Sequence, residues 1–384
     1  MANTTLAPER AATGRPVNTL RGDTLPVFAK WACLGGSFAA SALVFAVGGW
    51  NWPLFAVLGA LLYLGSWTIV NGAVRGGRHG ANAFWATLVW LAFFLALVPL
   101  VSIIWTVLSN GTQGILAFGF FGSDMAGVTG VQDQAAVAGE SGVLGGIQHA
   151  LIGSLLITLT ATLISVPIGL LTSIWLVEYS RGNALARVIT FLVDVMTGIP
   201  SIVAGLFAAG ILMAYFELIG GGYSGGRQVM GFTAAIALAV LMIPVVVRST
   251  EEMLRVVPNE LREASYALGV RKWRTIIRVV IPTAISGIAS GVTLAIARVA
   301  GETAPILLTA GMAVGTNWNV FKGWMMTLPV YIYQQLMRPT APSAPDPSTQ
   351  RAWGAALVLI LIVMVLNLIA RFVAAAFAPK HSGR

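Results

Sequence analysis

The chain of 384 residues has one cysteine, Cys33, and three scattered histidines, His79, His149 and His381. A single thiol excludes an internal disulfide framework and any cysteine-cluster metal site. The dispersed histidines make no metal-ligand set, so no metal or cofactor is expected. No Gly-Lys dipeptide occurs, which excludes a Walker A phosphate loop and ATP binding by that route. Charge is scarce as well. Charged residues make up 10% of the chain, where soluble chains average about 25%.

What fills the chain instead is apolar. Hydrophobic residues reach 57% and mean hydropathy is +0.82. The composition is that of an integral membrane protein, and the all-α polytopic class follows. The net charge of +9 is read as the cytoplasmic bias of Lys and Arg rather than as a nucleic-acid surface. The letters Gly220-x-Gly222-x-x-Gly225 match a dinucleotide fingerprint, but no strand precedes them, so they are discounted.

A span needs roughly 20 apolar residues, and eight runs qualify. Trp31 to Trp50 and Trp52 to Val70 form an N-terminal hairpin turned by Gly49 to Pro53. Six more follow: Phe84 to Leu108, Ala150 to Val177, Thr197 to about Ile219, Gly231 to Val247, Thr283 to about Leu308, and Ala352 to Phe372. The stretch 109–148 carries Asp124, Asp133 and Glu140 and no Lys or Arg, so it is expected outside. Gly311 to Arg351 is expected outside too, and Gly220 to Arg227 is expected as a short external turn. With both termini cytoplasmic, 18 Lys/Arg fall inside and four outside, as the positive-inside rule requires. The expected division is a tail at 1–30, a two-helix extension at 31–83, a core at 84–375 and a second tail at 376–384.

Between two spans lies a stretch too polar to cross a bilayer. Residues 248–282 hold seven Lys/Arg and four Glu. Glu263-Ala-Ser-Tyr-Ala-Leu-Gly269 predicts a helix stopped by glycine. Arg271 to Val280 predicts a second short helix, with Pro282 opening the next span. Ala264, Ala267 and Leu268 are expected to pack, with Glu260, Arg262 and Glu263 facing out. Glu178 and Asp194 flank another cytoplasmic turn, where they are interface charges or packing partners of these helices.

This stretch resembles the EAA loop of binding-protein-dependent ABC importer permeases. That pattern is Glu-Ala-Ala, three residues, Gly, nine residues, Ile-x-Leu-Pro. Here Glu263-Ala264-Ser265 precedes Gly269 at the family spacing, and Val279-Val280-Ile281-Pro282 closes it. Ser265, Val279 and Ile281 are conservative departures. The run Gly287 to Gly291 and the segment Arg298-x-x-Gly-Glu302-Thr303-Ala-Pro305, with Thr197-Gly-Ile-Pro200, resemble the PstA-type permeases of phosphate importers. The resemblance implies a multi-pass subunit of the bacterial inner membrane that moves inorganic phosphate and performs no catalysis. It implies a second, PstC-type permease, two ATP-binding subunits, an external phosphate-binding protein and surrounding lipid as partners. The coupling residues toward the ATPase would be Glu260, Glu263, Ala264 and Gly269.

Arg298 stands sixteen residues beyond Pro282, about 24 Å along a helix, and Glu302 follows four later on the expected same face. An arginine in hydrocarbon costs about 2.5–3.5 kcal/mol on insertion scales, so it faces protein or water. One reading makes it an ion pair with Glu302 that pins helices. The other, raised by the resemblance, makes Arg298, Glu302 and Thr303 part of the substrate path, since a planar guanidinium suits phosphate. An importer for sulfate, molybdate or phosphonate is the alternative within the class. A secondary transporter is the alternative outside it, and predicts intramembrane charge in both halves of the chain.

Overall fold

The computed structural model describes residues 25–180, 182–218 and 229–377. The Gly220–Gly225 letters, the turn at 220–227, His381, and most of both expected tails lie outside the described residues. Among the described residues there is no strand, and eight helices are long and apolar enough to cross a membrane. The chain divides into two compact units, Met1–Ile104 and Trp105–Arg384.

In the first unit, α1 (Val27–Gly48) and α2 (Trp52–Arg75) form an antiparallel hairpin. Asn51 turns the chain by accepting a bond from the Leu54 amide at 3.2 Å, with Pro53 in the first turn of α2. Buried serines stitch the pair. Ser41 donates to the Phe55 carbonyl at 2.8 Å, and Ser37 meets Ser66 at 3.1 Å. Such bonds hold helices together where lipid offers no hydrophobic drive. The third span, α3 (Gly77–Ile115), starts seven residues before the expected Phe84 and runs through Pro99 without a break.

The second unit is built around α8 (Gly231–Val256), the most deeply buried span. Ala234, Ala235, Ala237 and Ala239 have almost no exposed surface, and small side chains let neighbouring helices come close. α5 (Gln148–Ile174), α7 (Ser201–Leu218) and α11 (Ile281–Ala300) pack on it, and α14 (Asp346–Phe377) packs on α11. Ile157, Leu238, Met242, Ala295 and Ala355 meet in the resulting core. Between α5 and α7 lies an amphipathic helix, α6 (Ala184–Thr197), where the sequence suggested only a turn.

Pro282 does not begin a new helix. Lys272 to Ala300 is continuous: a short α10 (Lys272–Thr275) and a π-turn, Ile276–Val280, lead directly into α11. The Ile281 amide bonds to the carbonyl of Ile276, five residues back. This wider register accommodates a proline that would otherwise clash with the preceding turn.

Candidate functional site

Two places carry the residues singled out by sequence. The first is the loop helix α9 (Asn259–Ala267). It ends as the spacing predicted. Gly269 adopts φ +74°, the Gly269 amide bonds to the Tyr266 carbonyl at 2.9 Å, and the Val270 amide bonds to Ser265 at 3.2 Å. This double closure is the Schellman stop, which asks for glycine at the left-handed position.

The facing of α9 agrees with the expectation at Glu260 and Glu263, both exposed, and reverses it at the other four residues. Arg262 points inward, with its side chain 12% exposed, and Ala264, Ala267 and Leu268 point outward, Leu268 at 83%. The cause is a partner 84 residues away. Arg262 Nη2 meets Glu178 Oε1 at 3.0 Å. The same guanidinium donates to the carbonyls of Leu254 and Val257 at 2.9 and 2.6 Å. It thereby caps the C-terminal end of α8, where unpaired carbonyls favour a cation. Lys272 donates to the Glu178 carbonyl and stands 4.9 Å over the Tyr179 ring. Ser265 and Thr275 share a buried hydrogen bond of 2.8 Å. Glu178 thus packs against the loop helices. Asp194, on α6, pairs with Arg248. Burial, with the nearby Glu178 carboxylate second, raises the Tyr266 phenol above its ordinary value.

What α9 leaves in water is a mixed surface of Glu260, Leu261, Glu263, Ala264, Tyr266 and Leu268. The helix behind it is held to the π-turn Trp175–Tyr179 that follows α5, to α8 and to α10.

The second place is the outer part of α11. Ala284, Ile288, Gly291, Ala295 and Val299 face the core. Ser290, Leu294 and Arg298 form an exposed stripe at intervals of four, with Ser286 half-buried in line below them. Depth follows from packing. Gly287 faces Met253 and Gly291 faces Ser249 so closely that a Cβ at either would clash. Continuing that antiparallel register brings Arg298 level with Met242, eleven residues from Gly231 and so about 16 Å from that end of α8. The hydrocarbon layer is about 30 Å thick. Arg298 therefore stands level with the middle of α8, on a face of α11 that is exposed among the described residues.

Arg298 and Glu302 do not share a helix. α11 stops at Ala300, Gly301 caps it, and the Glu302 amide bonds back to Val299 at 3.1 Å. Thr303 then precedes a new short helix, α12 (Ala304–Thr309), with Pro305 in its first turn. Among the described residues the ion pairs do not include Arg298 with Glu302. Glu302 and Thr303 are half-buried. The break follows from Gly301, which is a poor helix residue, and from Pro305, which cannot continue one.

One buried charge cluster had no signal in the sequence. Asp133, on the short helix α4 (Gly130–Val137), and Arg351, each 1% exposed at the side chain, form a two-pronged pair at 2.6 and 2.9 Å. Gln335, Ser348 and the Leu144 carbonyl take further Arg351 bonds. The partners lie 218 residues apart, and each reads singly as an external-loop charge.

The profile of the family described as binding-protein-dependent transport system inner membrane component matches residues 165–383. The chain is 45% identical over 300 residues to the phosphate transport system permease protein PstA 1 of Mycobacterium tuberculosis (strain CDC 1551 / Oshkosh), covering 77% of this chain and 90% of that relative. It is 38% identical over 278 residues to the phosphate transport system permease protein PstA of Yersinia pestis, covering 72% and 84%. Among solved structures, an inward-facing MetNI methionine ABC transporter aligns at a TM-score of 0.44 and 20% identity, over 59% of this chain and 94% of that one.

Proposed function

We infer, because the chain belongs to the binding-protein-dependent transport system inner membrane components and within them to the PstA permeases, that it is a membrane-spanning subunit of an ATP-driven importer of inorganic phosphate. Arg298 carries this reading. It is a permanent cation level with the middle of α8, in line with Ser286 and Ser290, on a face exposed among the described residues. Lipid is a poor neighbour for that stripe. A second permease subunit covering this face, with a hydrated route between the two, satisfies it. Arg298 then offers phosphate a planar pair of donors, with Glu302 and Thr303 at the helix break beside it.

The energy comes from elsewhere. Two ATP-binding subunits dock on the cytoplasmic loops, one of them on the exposed face of α9, where Glu260, Glu263 and Ala264 flank the apolar Leu268 and Gly269 closes the helix. An external phosphate-binding protein delivers the ion. Closure of the ATPase pair pushes α9, and the continuous helix from Lys272 to Ala300 carries the displacement to Arg298. The chain spans the inner membrane with both termini in the cytoplasm, and 31–83 is an extension outside the core of the mechanism.

The test is reconstitution. Proteoliposomes holding the four-subunit complex are expected to accumulate radiolabelled phosphate only with ATP and the binding protein, and sulfate or molybdate at equal concentration is expected not to compete. Accumulation of sulfate in place of phosphate would reject the substrate assignment. A second expectation concerns α9. Leu268→Asp leaves the Arg262–Glu178 clamp untouched, so membrane insertion stays normal. ATPase subunits recovered with the permease are expected to fall at least about tenfold, as a carboxylate displaces a buried apolar contact. Normal recovery from detergent would remove α9 from the docking surface.

A further inference from the structure

A polar chamber of about 150 Å³ lies between the start of α5 and α13 (Leu328–Met337), well away in sequence from Arg298. His149, Tyr331, Gln334, Gln335, Arg338 and Thr340 supply its polar lining. The volume equals that of about five waters at roughly 30 Å³ each, and it also accommodates one tetrahedral oxyanion. His149 is 1% exposed and, among the described residues, neither of its ring nitrogens has a hydrogen-bond partner; the Tyr331 phenol is fully buried beside the Arg351 guanidinium, without a well-formed hydrogen bond to it. Buried polar groups without partners are rare and call for a ligand or water. Two of them facing one chamber, edge to face with ring centres 5.1 Å apart, mark a built polar site.

The lining is rich in donors. Tyr331 offers its O–H and His149 a ring N–H. Gln335 accepts from Arg351 through Oε1, which leaves its NH₂ group to donate. Arg338 is the exposed member of the lining and supplies the positive charge. The nearby carboxylates are already occupied. Asp133 is held by both prongs of Arg351. Asp124 accepts from the amides of Ala126 and Thr316 and from the Thr316 hydroxyl. Burial pushes the Asp124 carboxyl up, but those bonds outweigh it and leave it below the ordinary carboxylate range.

We propose that this chamber is a second oxyanion site, one that holds inorganic phosphate on the external side before it reaches Arg298. The inference rests on the reading of the chain as a phosphate permease, and it adds a station that the reading does not contain. The chamber adjoins the chain that leaves α12. Ala313 and Val314 form part of its wall, and α12 begins six residues after Arg298. The site is suited to being loaded and emptied, since Arg338 is the one Lys or Arg in its lining and has no ion-pair partner among the described residues. Weak, multi-site binding is what conduction requires.

The experiment measures equilibrium binding of radiolabelled inorganic phosphate to the assembled complex in nanodiscs, without the binding protein and with ADP filling the nucleotide sites. It is done in an Arg298→Ala background, so that the path residue contributes nothing. One saturable phosphate site is expected to remain there. Adding Tyr331→Phe, which removes one oxygen and keeps the ring, is expected to weaken that site about tenfold, and Arg338→Gln by at least as much. Arg338 is exposed, so its replacement leaves folding intact and covers the case in which Tyr331→Phe lowers yield. Absence of any saturable site in the Arg298→Ala complex overturns the proposal, as does a site indifferent to both replacements. Because binding is read at equilibrium and needs no transport, the result stands apart from the uptake test of the permease assignment.

Discussion

Arg298→Ala is expected to lower phosphate uptake at least about a hundredfold per assembled complex, while the chain still inserts and assembles. The magnitude is that of two hydrogen bonds to a charged group, each contributing about 1.5–3 kcal/mol. Assembly survives because of the helix break at Gly301. An Arg298–Glu302 ion pair would make each neutralisation strand the other charge. With no such pair among the described residues, alanine at 298 leaves no carboxylate abandoned. Arg298→Lys keeps the charge but loses the planar fork, and intermediate uptake is expected. Glu302→Gln is expected to change the rate and not the yield. Radiolabelled uptake normalised to purified complex decides the matter, and unchanged uptake in Arg298→Ala would end the path assignment.

The second large effect concerns stability. Arg351→Met leaves Asp133 buried without its partner, and breaking such a pair costs about 3–5 kcal/mol. A sharply lower melting midpoint of the detergent-solubilised protein is expected. Asp133→Leu in addition removes the stranded carboxyl, so the double variant is expected to regain most of the loss. Full recovery is not expected, since Gln335, Thr340 and Ser348 lose the guanidinium they now contact. A double variant no better than Arg351→Met would mean that the guanidinium matters through those neighbours rather than through Asp133.

Much of this fold was legible because lipid imposes a simple rule on sequence. A span must be long and apolar, and the eight runs found by that rule are the eight long helices of the structure. Gly269 was legible for a local reason, since only the residue itself decides who tolerates φ +74°. The misreadings share a different cause. Arg262 looks like a solvent-facing charge until Glu178 is brought beside it across 84 residues. Asp133 and Arg351 look like loop charges until folding buries both. The break before α12 did leave a trace, in Gly301 and Pro305, and the four-residue spacing of Arg298 and Glu302 concealed it. Helix spacing predicts a shared face only where one helix persists. α14 likewise begins at Asp346, six residues ahead of expectation, because Asp346 and Pro347 suit a first turn.

The uncovered stripe on α11 also bears on the chain without its companion. A chain in the bilayer without a cover leaves a guanidinium, level with the middle of α8, against acyl tails, at about 2.5–3.5 kcal/mol by insertion scales. Association relieves that strain on the membrane. Surplus chains stay in the unfavourable state, tilting, drawing in water or thinning the lipid around them. The residue assigned to the cargo would thus also make the chain without its companion the less stable form in the bilayer.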